Sequence, residues 1–435
     1  MSSLSATAVK KTVPLSLSRL EQLAETYGTP YQMYDEQAIR ANARNLIDSF
    51  KKFFPTFQQH FAVKALPNPG ILKVLMDEGC GLDCSSTSEL YIAEKLGCPG
   101  HLVCYTSNYT SNADLKYALR QNAVINLDDV SLVDALASVA EEEGGFPELI
   151  SFRLNPGVGR TDSETKSNVL GGPNAKFGVG HYQIKEAYEK AKAYGAKRFG
   201  IHMMTGSCVL SNDYWVETVS RMLDTVAMLR KELGIEFEYI NVGGGIGIPY
   251  KPGEARVDIS ALVKKIRETF DSKLQEHNMP EPTLHMENGR FMTGPYGYLV
   301  SRCQAIKHSY ADYYGLDACM ANLMRPGMYG SYHHITVPRL EDSSDERQQA
   351  NVVGQLCENN DWFAKDRVLP AGIEVGDLFV IHDSGAHSHS MGFQYNGKLR
   401  APELLIRNGA EGEIALIRKR EQIEDLYSNC IDLEL

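Results

Sequence analysis

Between residues 60 and 290 the chain alternates two hydrophobic rhythms. Short apolar runs rich in β-branched residues (HFAVKA, GLDCSS, HLVCYT, AVINLD, LISFRL, FGIHMM, EYINVG and TLHMEN) are separated by longer segments such as TSELYIAEKLG, VSLVDALASVAEEEG and DYWVETVSRMLDTVAMLRKELG. The short runs read as buried strands and the longer segments as amphipathic helices. One more helix, DEQAIRANARNLIDSFKKFF, precedes the first strand. Eight strands with helices between them, over about 230 residues, have the size of a (β/α)8 TIM-like barrel. An open doubly wound sheet is the alternative, but it usually has fewer strands. After Arg290 the helical period fades into strand-like runs separated by turns: YGYLVSRCQAI, NVVGQLCEN, GDLFVIHDSG and PELLIRNG. The expected fold class is therefore α/β, a barrel followed by a mostly β domain of barrel or sandwich type. TPYQMYD also reads as a strand, one that returns to the β domain. The expected boundaries are a tail and joining strand over 1–40, the barrel over 41–291 and the β domain over 292–435.

Composition narrows the partners. The 435 residues carry a net charge of −11 with acids and bases interspersed, which argues against nucleic acid or an anionic membrane surface. No apolar run reaches the roughly 20 residues of a bilayer span. The first residues, MSSLSATAVKKTVPLSL, have no secretory apolar core and are expected to form a short disordered tail, with an organelle-targeting remnant the lesser alternative. The polar run LEDSSDERQQA, Leu340 to Ala350, is the expected mobile loop. Nine cysteines without a CxxC pair suggest a reducing compartment, most simply the cytoplasm, and no zinc site. His333, His334, His382 and His389 are expected to be structural, and no metal is assigned.

The chemistry gathers at strand ends. Lys64 closes the first apolar run between Val63 and Ala65, where an ammonium would lose hydration unless it reached water or a partner. It is either a lysine reaching back to the surface or a Schiff-base lysine for an aldehyde cofactor. Asp83 with Ser86, Thr106 with Asn108, Asn126, Arg153 with Asn155, Ser207, the glycines 243 to 245, and Glu287 with Arg290 end the other runs. A parallel barrel puts all these ends on one rim, the place for its active site. The glycines of NVGGGIGIPY suit a phosphate, because their N–H groups approach an anion closely. Lysine and glycine loop together suggest pyridoxal 5′-phosphate, and Glu287 is the carboxylate for its ring nitrogen. Arg290 and Arg325 offer forks for a substrate carboxylate, and Cys357 with Glu358 a proton donor and an anion for an amine.

With the blocks HFAVKALPNPGIL, GLDCSSTSEL, RLNPG, GGPNAKFGV, GGGIGIPY, MENGR, LMRPGMYGSYHHI, CENND and GAHSHSMGFQYNGKLRAPELL, the chain resembles the fold-type III pyridoxal-phosphate decarboxylases, and among them the diaminopimelate decarboxylases, over roughly residues 28–427. The resemblance implies decarboxylation of meso-2,6-diaminopimelate to L-lysine and CO2. It places the cofactor on Lys64, with Asp83, Ser207, Gly244, Gly245, Glu287, Gly289, Arg290 and His387 around it. It gives the substrate to Arg290, Arg325, Tyr329, Glu358 and His387, and makes Cys357 the proton donor to the α-carbon. It also implies a head-to-tail homodimer with shared sites. The chain departs from the family pattern at four places, most of them expected to line the pocket: Met204 for a histidine, Asn288 for a proline, Asn359-Asn360 for Ser-Gly and His387 for a tyrosine. His202 is expected to point to the other side of its strand. They motivate an alternative, a paralogue acting on another diamino acid or a carboxylated polyamine precursor. A catalytically silent regulatory homologue is the third reading.

Overall fold

The computed structural model describes residues 8–161, 169–341 and 346–431. They form two compact units, one of Arg40–Ile248 with Arg256–Met292, the other of the segment up to Ile39, Pro249–Ala255 and the chain from Thr293 on. In chain order the strands begin with β1 (Tyr31–Asp35), which belongs to the second unit, and β2 (Gln58–Ala62), β3 (Gly81–Cys84), β4 (Val103–Thr106), β5 (Val124–Leu127) and β6 (Leu149–Asn155). They continue with β7 (Val179–Gly180), β8 (Arg198–Met203), β9 (Phe237–Asn241) and β10 (Thr283–Met286).

The first unit is a closed barrel. Its eight strands pair in parallel in the order β5, β4, β3, β2, β10, β9, β8, β6, and β5 then pairs with β6 to complete the ring, while β7 pairs only with β6. Each of the eight apolar runs contributes one strand. Helices such as Pro69–Asp77, Thr87–Lys95 and Asn212–Leu233 alternate with them, each burying an apolar row. Inside the ring, large rings face positions without a side chain. A Cβ on Gly200 would fall 2.1 Å from the Tyr239 ring, and one on Gly81 would fall 2.5 Å from His60 Nδ1. Tyr239 also stacks on His285, with centroids 4.5 Å apart. The barrel is thus a packed core, and its chemistry is confined to the strand ends.

The second unit is built on a mixed sheet. It adds β11 (Gly297–His308), β12 (Asp312–Leu316), β13 (Ile335–Thr336), β14 (Arg347–Val353), β15 (Trp362–Pro370), β16 (Leu378–Ile381), β17 (Glu403–Ile406) and β18 (Ile414–Arg418). The run TPYQMYD does return to it: β1 lies between β11, antiparallel, and β17, parallel. Because side chains alternate along a strand, β11 serves two cores. Leu299 packs with Leu316, Phe363 and Phe379, whereas Tyr298 and Val300 pack with Tyr31, Met33 and Leu404.

Two expectations about loose segments fail where the chain is described. The tail from Ala8 is pinned within the second unit. Ala8 bridges Ala255, Val9 exchanges backbone bonds with Gly253 and Glu254, and Lys11 Nζ meets both oxygens of Asp383 at 2.7 and 2.6 Å and the Pro249 carbonyl at 2.7 Å. A buried ion pair spanning most of the sequence leaves no local signature. Of the expected mobile loop, 342–345 lie outside the described residues, and Arg347–Ala350 already belong to β14, paired with β15. Among the described residues no helix is long and apolar enough to cross a membrane.

Desolvation lowers several histidines in both units: His285 to about 3, His382 to about 3, and His334 and His389 to about 4. The unfolded chain takes up protons at these sites below about pH 6.5 while the native one does not, so stability must fall as pH drops from there toward 4. Thermal unfolding followed from pH 7 to 5 is expected to show a falling midpoint. A midpoint that rises over this interval contradicts the neutral assignment.

Candidate functional site at the barrel mouth

Lys64 does not end its strand. β2 stops at Ala62, and Lys64 is the middle residue of a 3-10 turn, Val63–Ala65, before Asn68 caps the next helix by accepting a bond from the Gly70 amide at 2.9 Å. The turn buries Val63 and Ala65 completely but swings the lysine out, leaving its side chain 59 % exposed in the chain. The lysine thus reaches out toward solvent, the alternative under which its ammonium keeps its hydration. Lys64 Nζ lies 4.0 Å from Asp83 Oδ2 at the end of β3. Asp83 is buried, and its other oxygen has no hydrogen-bond partner. Burial first, then the charge of Glu287, pushes the Asp83 carboxyl well above the usual range, with Lys64 opposing both.

Glu287 follows β10 and is buried. His202 Nε2 lies 2.9 Å from its Oε2, and Asn241 Nδ2 lies 2.7 Å from its Oε1. A carboxylate only accepts, so both neighbours donate. Burial raises Glu287, but His202, Lys64 and His60 outweigh it and hold the carboxyl down at about 2. His202 therefore does not point away. Residues two apart on a strand share a face, and β8 turns this one inward to the carboxylate.

The glycine loop is fastened to the turn that carries Glu287. Gly243 accepts from the Glu287 amide at 2.9 Å, and its own N–H donates to Asn241 Oδ1 at 2.9 Å. A Cβ on Gly244 would stand 2.2 Å from the Glu287 carbonyl oxygen, and Gly245 has φ +107° beside the Gly206 carbonyl. Only glycine fits both places. Val209, two residues after Ser207, donates to the Gly245 carbonyl at 2.9 Å, joining the loops after β8 and β9. Met204 occupies the space beside Gly243, where a Cβ would lie 2.7 Å from its sulfur.

Several polar residues prove to hold the scaffold. Asn288 is fully buried, so it does not line a pocket; its Nδ2 donates to Gln59 Oε1 at 3.1 Å and its Oδ1 accepts from the Ile246 amide at 3.3 Å. Ser86 caps the helix Thr87–Lys95, and Asn155 ties Gly157, Gly172 and Phe177 together. Arg153 donates to the Met204 carbonyl at 3.2 Å and lies over the Phe177 ring. Gly289 is buried where a Cβ would meet Ala65 at 2.8 Å, and Arg290, also buried, opens the short helix Arg290–Thr293. Sequence reading missed Asn241, whose place two residues before Gly243 was its only signal, since its position opposite His202 appears only once β8 and β9 pair.

The remaining candidates belong to the second unit. Arg325 is buried at the start of the helix Arg325–Tyr329, donates to Ser331 at 3.2 Å and lies over the Tyr250 ring. Tyr329 is half-buried, and His387 adopts φ +55°. Cys357, Glu358, Asn359 and Asn360 are exposed on one turn. Asp361 holds that turn by accepting from the Leu356 and Met320 amides at 2.7 and 2.6 Å, and Asn396 Oδ1 accepts from the Cys357 amide at 2.7 Å. Neither holder was anticipated.

The mouth fits pyridoxal 5′-phosphate. It offers an accessible amine at Lys64, an ionised buried carboxylate at Glu287, a buried carboxyl oxygen without a partner at Asp83, and a glycine loop. Among the described residues no acceptor meets the amides of Gly244 and Gly245. Comparisons with known proteins agree. The family described as pyridoxal-dependent decarboxylase, pyridoxal binding domain, matches residues 40–294. Protein TabA of Pseudomonas amygdali pv. tabaci is 41 % identical, covering 93 % of this chain and 92 % of its own. The diaminopimelate decarboxylase of Methanothermobacter thermautotrophicus is 39 % identical, covering 93 % and 92 %. The crystal structure of diaminopimelate decarboxylase from M. jannaschii in complex with L-lysine superposes with a TM-score of 0.86 at 31 % identity, covering 95 % and 94 %.

If Asn288 is a buried strut, Asn288→Ala strands Gln59 Oε1 and the Ile246 amide and costs about 1–3 kcal/mol. Urea unfolding of the purified protein is expected to register that loss. An unchanged midpoint contradicts the role.

Proposed function

Because the chain belongs to the pyridoxal-dependent decarboxylases, we propose that it decarboxylates meso-2,6-diaminopimelate to L-lysine and CO2. The observation that carries this reading is the extent of the likeness to diaminopimelate decarboxylases, at 39 % identity over 406 residues. The cofactor is pyridoxal 5′-phosphate. When bound, it supplies an electron sink for the pair left behind as CO2 departs.

The chain's own groups do the rest. Lys64 holds the cofactor through its amine, and Glu287 keeps the ring nitrogen protonated. Asp83, Ser207, Gly244, Gly245, Gly289, Arg290 and His387 complete the cofactor's contacts, the glycines through backbone N–H groups. Arg290, Arg325 and Tyr329 bind the substrate's distal carboxylate, Glu358 takes its distal amine, and His387 adds a polar contact. Cys357 returns a proton to the α-carbon. Ornithine and lysine lack the second carboxylate that two arginine forks would pair with, which favours diaminopimelate.

A homodimer with shared sites follows from the same reading. Its support is the exposed, firmly held turn of Cys357 and Glu358, which suits groups offered to a second copy. A cytoplasmic location accords with nine free cysteines. A second reading, action on a related amino acid, is favoured by the 41 % identity to TabA, whose name states no activity, together with Met204 and His387.

Turnover on meso-diaminopimelate, ornithine, lysine and carboxynorspermidine separates these readings. The first substrate is expected to be preferred, and no activity on it overturns the proposal. Lys64→Ala and Cys357→Ala chains, each expected to be nearly inactive, should regain about a quarter of full activity when mixed and reassociated, because half of the dimers then own one intact site. No recovery contradicts sharing, and full activity of Cys357→Ala contradicts the donor.

A further inference from the structure

Glu287 is held in a way that its role alone does not require. Each oxygen has a separate donor from a separate strand: His202 on β8 serves Oε2 and Asn241 on β9 serves Oε1. The two donors are register partners, so one rung of the barrel presents both. The orientation of Asn241 is fixed as well. Its Oδ1 accepts from the Gly243 amide at 2.9 Å, which leaves only the NH2 group to face the carboxylate. His202 Nδ1 is buried without a partner, so the ring makes its one hydrogen bond to Glu287. A Glu287 protonated on Oε2 could keep its bond to His202 only if the ring moved its own proton to Nδ1, where no buried acceptor meets it, so the arrangement favours the anion.

We propose that His202 and Asn241 are positioning residues that orient Glu287 and hold it as the anion facing the cofactor's ring nitrogen. Through Gly243, Asn241 also ties that carboxylate to the glycine loop, so the holders of the two ends of the cofactor move as one body. The inference rests on the reading that Glu287 meets the ring nitrogen. The other groups facing Glu287 are Lys64, His60, Asp83 and Arg153, together with Cys104, Tyr239 and His285 in the barrel. His60 and His285 are shifted toward the neutral form by desolvation, which leaves the two donors as the direct partners of the carboxylate.

The test uses holoenzyme loaded with pyridoxal 5′-phosphate labelled with 15N in the ring. In the wild type the ring-nitrogen shift should report protonation throughout about pH 6 to 9. In His202→Phe it should lose protonation within that range, with kcat down roughly 10- to 100-fold and KM nearly unchanged. His202→Gln, which keeps an N–H, should recover most of both. Asn241→Asp keeps an acceptor for Gly243 but sets an oxygen against Glu287, and it should shift the ring nitrogen the same way even if His202→Phe fails to fold. Wild-type protonation that persists in His202→Phe and Asn241→Asp overturns the inference and leaves the role of Glu287 standing. An unprotonated wild-type ring overturns that role itself.

Discussion

Closure of eight short parallel strands is the constraint on which everything else in the first unit depends. The pairing of β5 with β6 turns a ladder into a ring, and the ring brings together groups that lie more than two hundred residues apart, from Lys64 to Arg290. A closed parallel ring leaves the C-terminal strand ends as the place to build chemistry. The interior is filled by rings packed against glycines, so the mouth rests on a rigid floor. The carboxylate at the mouth is then held by neighbours on adjoining strands, which is how a stiff scaffold fixes a charge away from water.

How much of this was legible in the sequence depended on the range of the cause. The eight strands could be read because each is a local run of β-branched and apolar residues, and the β domain because helical spacing ends after Arg290. Lys64 stood out as a charge among apolar residues, and its exposure was left open between two alternatives, because a single turn of 3-10 helix decides it. His202 turned out to face inward, toward Glu287, a partner that comes from much later in the chain and meets it only after the barrel forms. The pinning of Lys11 by Asp383 and of the Cys357 turn by Asp361 and Asn396 could not be read, since such pairs become neighbours only after folding.

The departures from the family pattern do not form one class. Asn288 stands where a proline is usual and supplies bonds that a proline cannot, joining β2 to the glycine loop. Asn359 and Asn360 sit on an exposed turn whose backbone is set by Asp361. Met204 fills space over Gly243 and brings a polarisable thioether to the mouth. His387 brings an imidazole in a left-handed backbone conformation. Of these, Met204 is the one that stands against the glycine loop of the barrel mouth.

The central claim is that the amine of Lys64 carries the cofactor. Reducing the purified holoenzyme with borohydride, digesting it and mapping the pyridoxyl mass by tandem mass spectrometry tests this directly. The account predicts one modified residue, Lys64; a label on another lysine, or none on a protein that retains the cofactor, would contradict it.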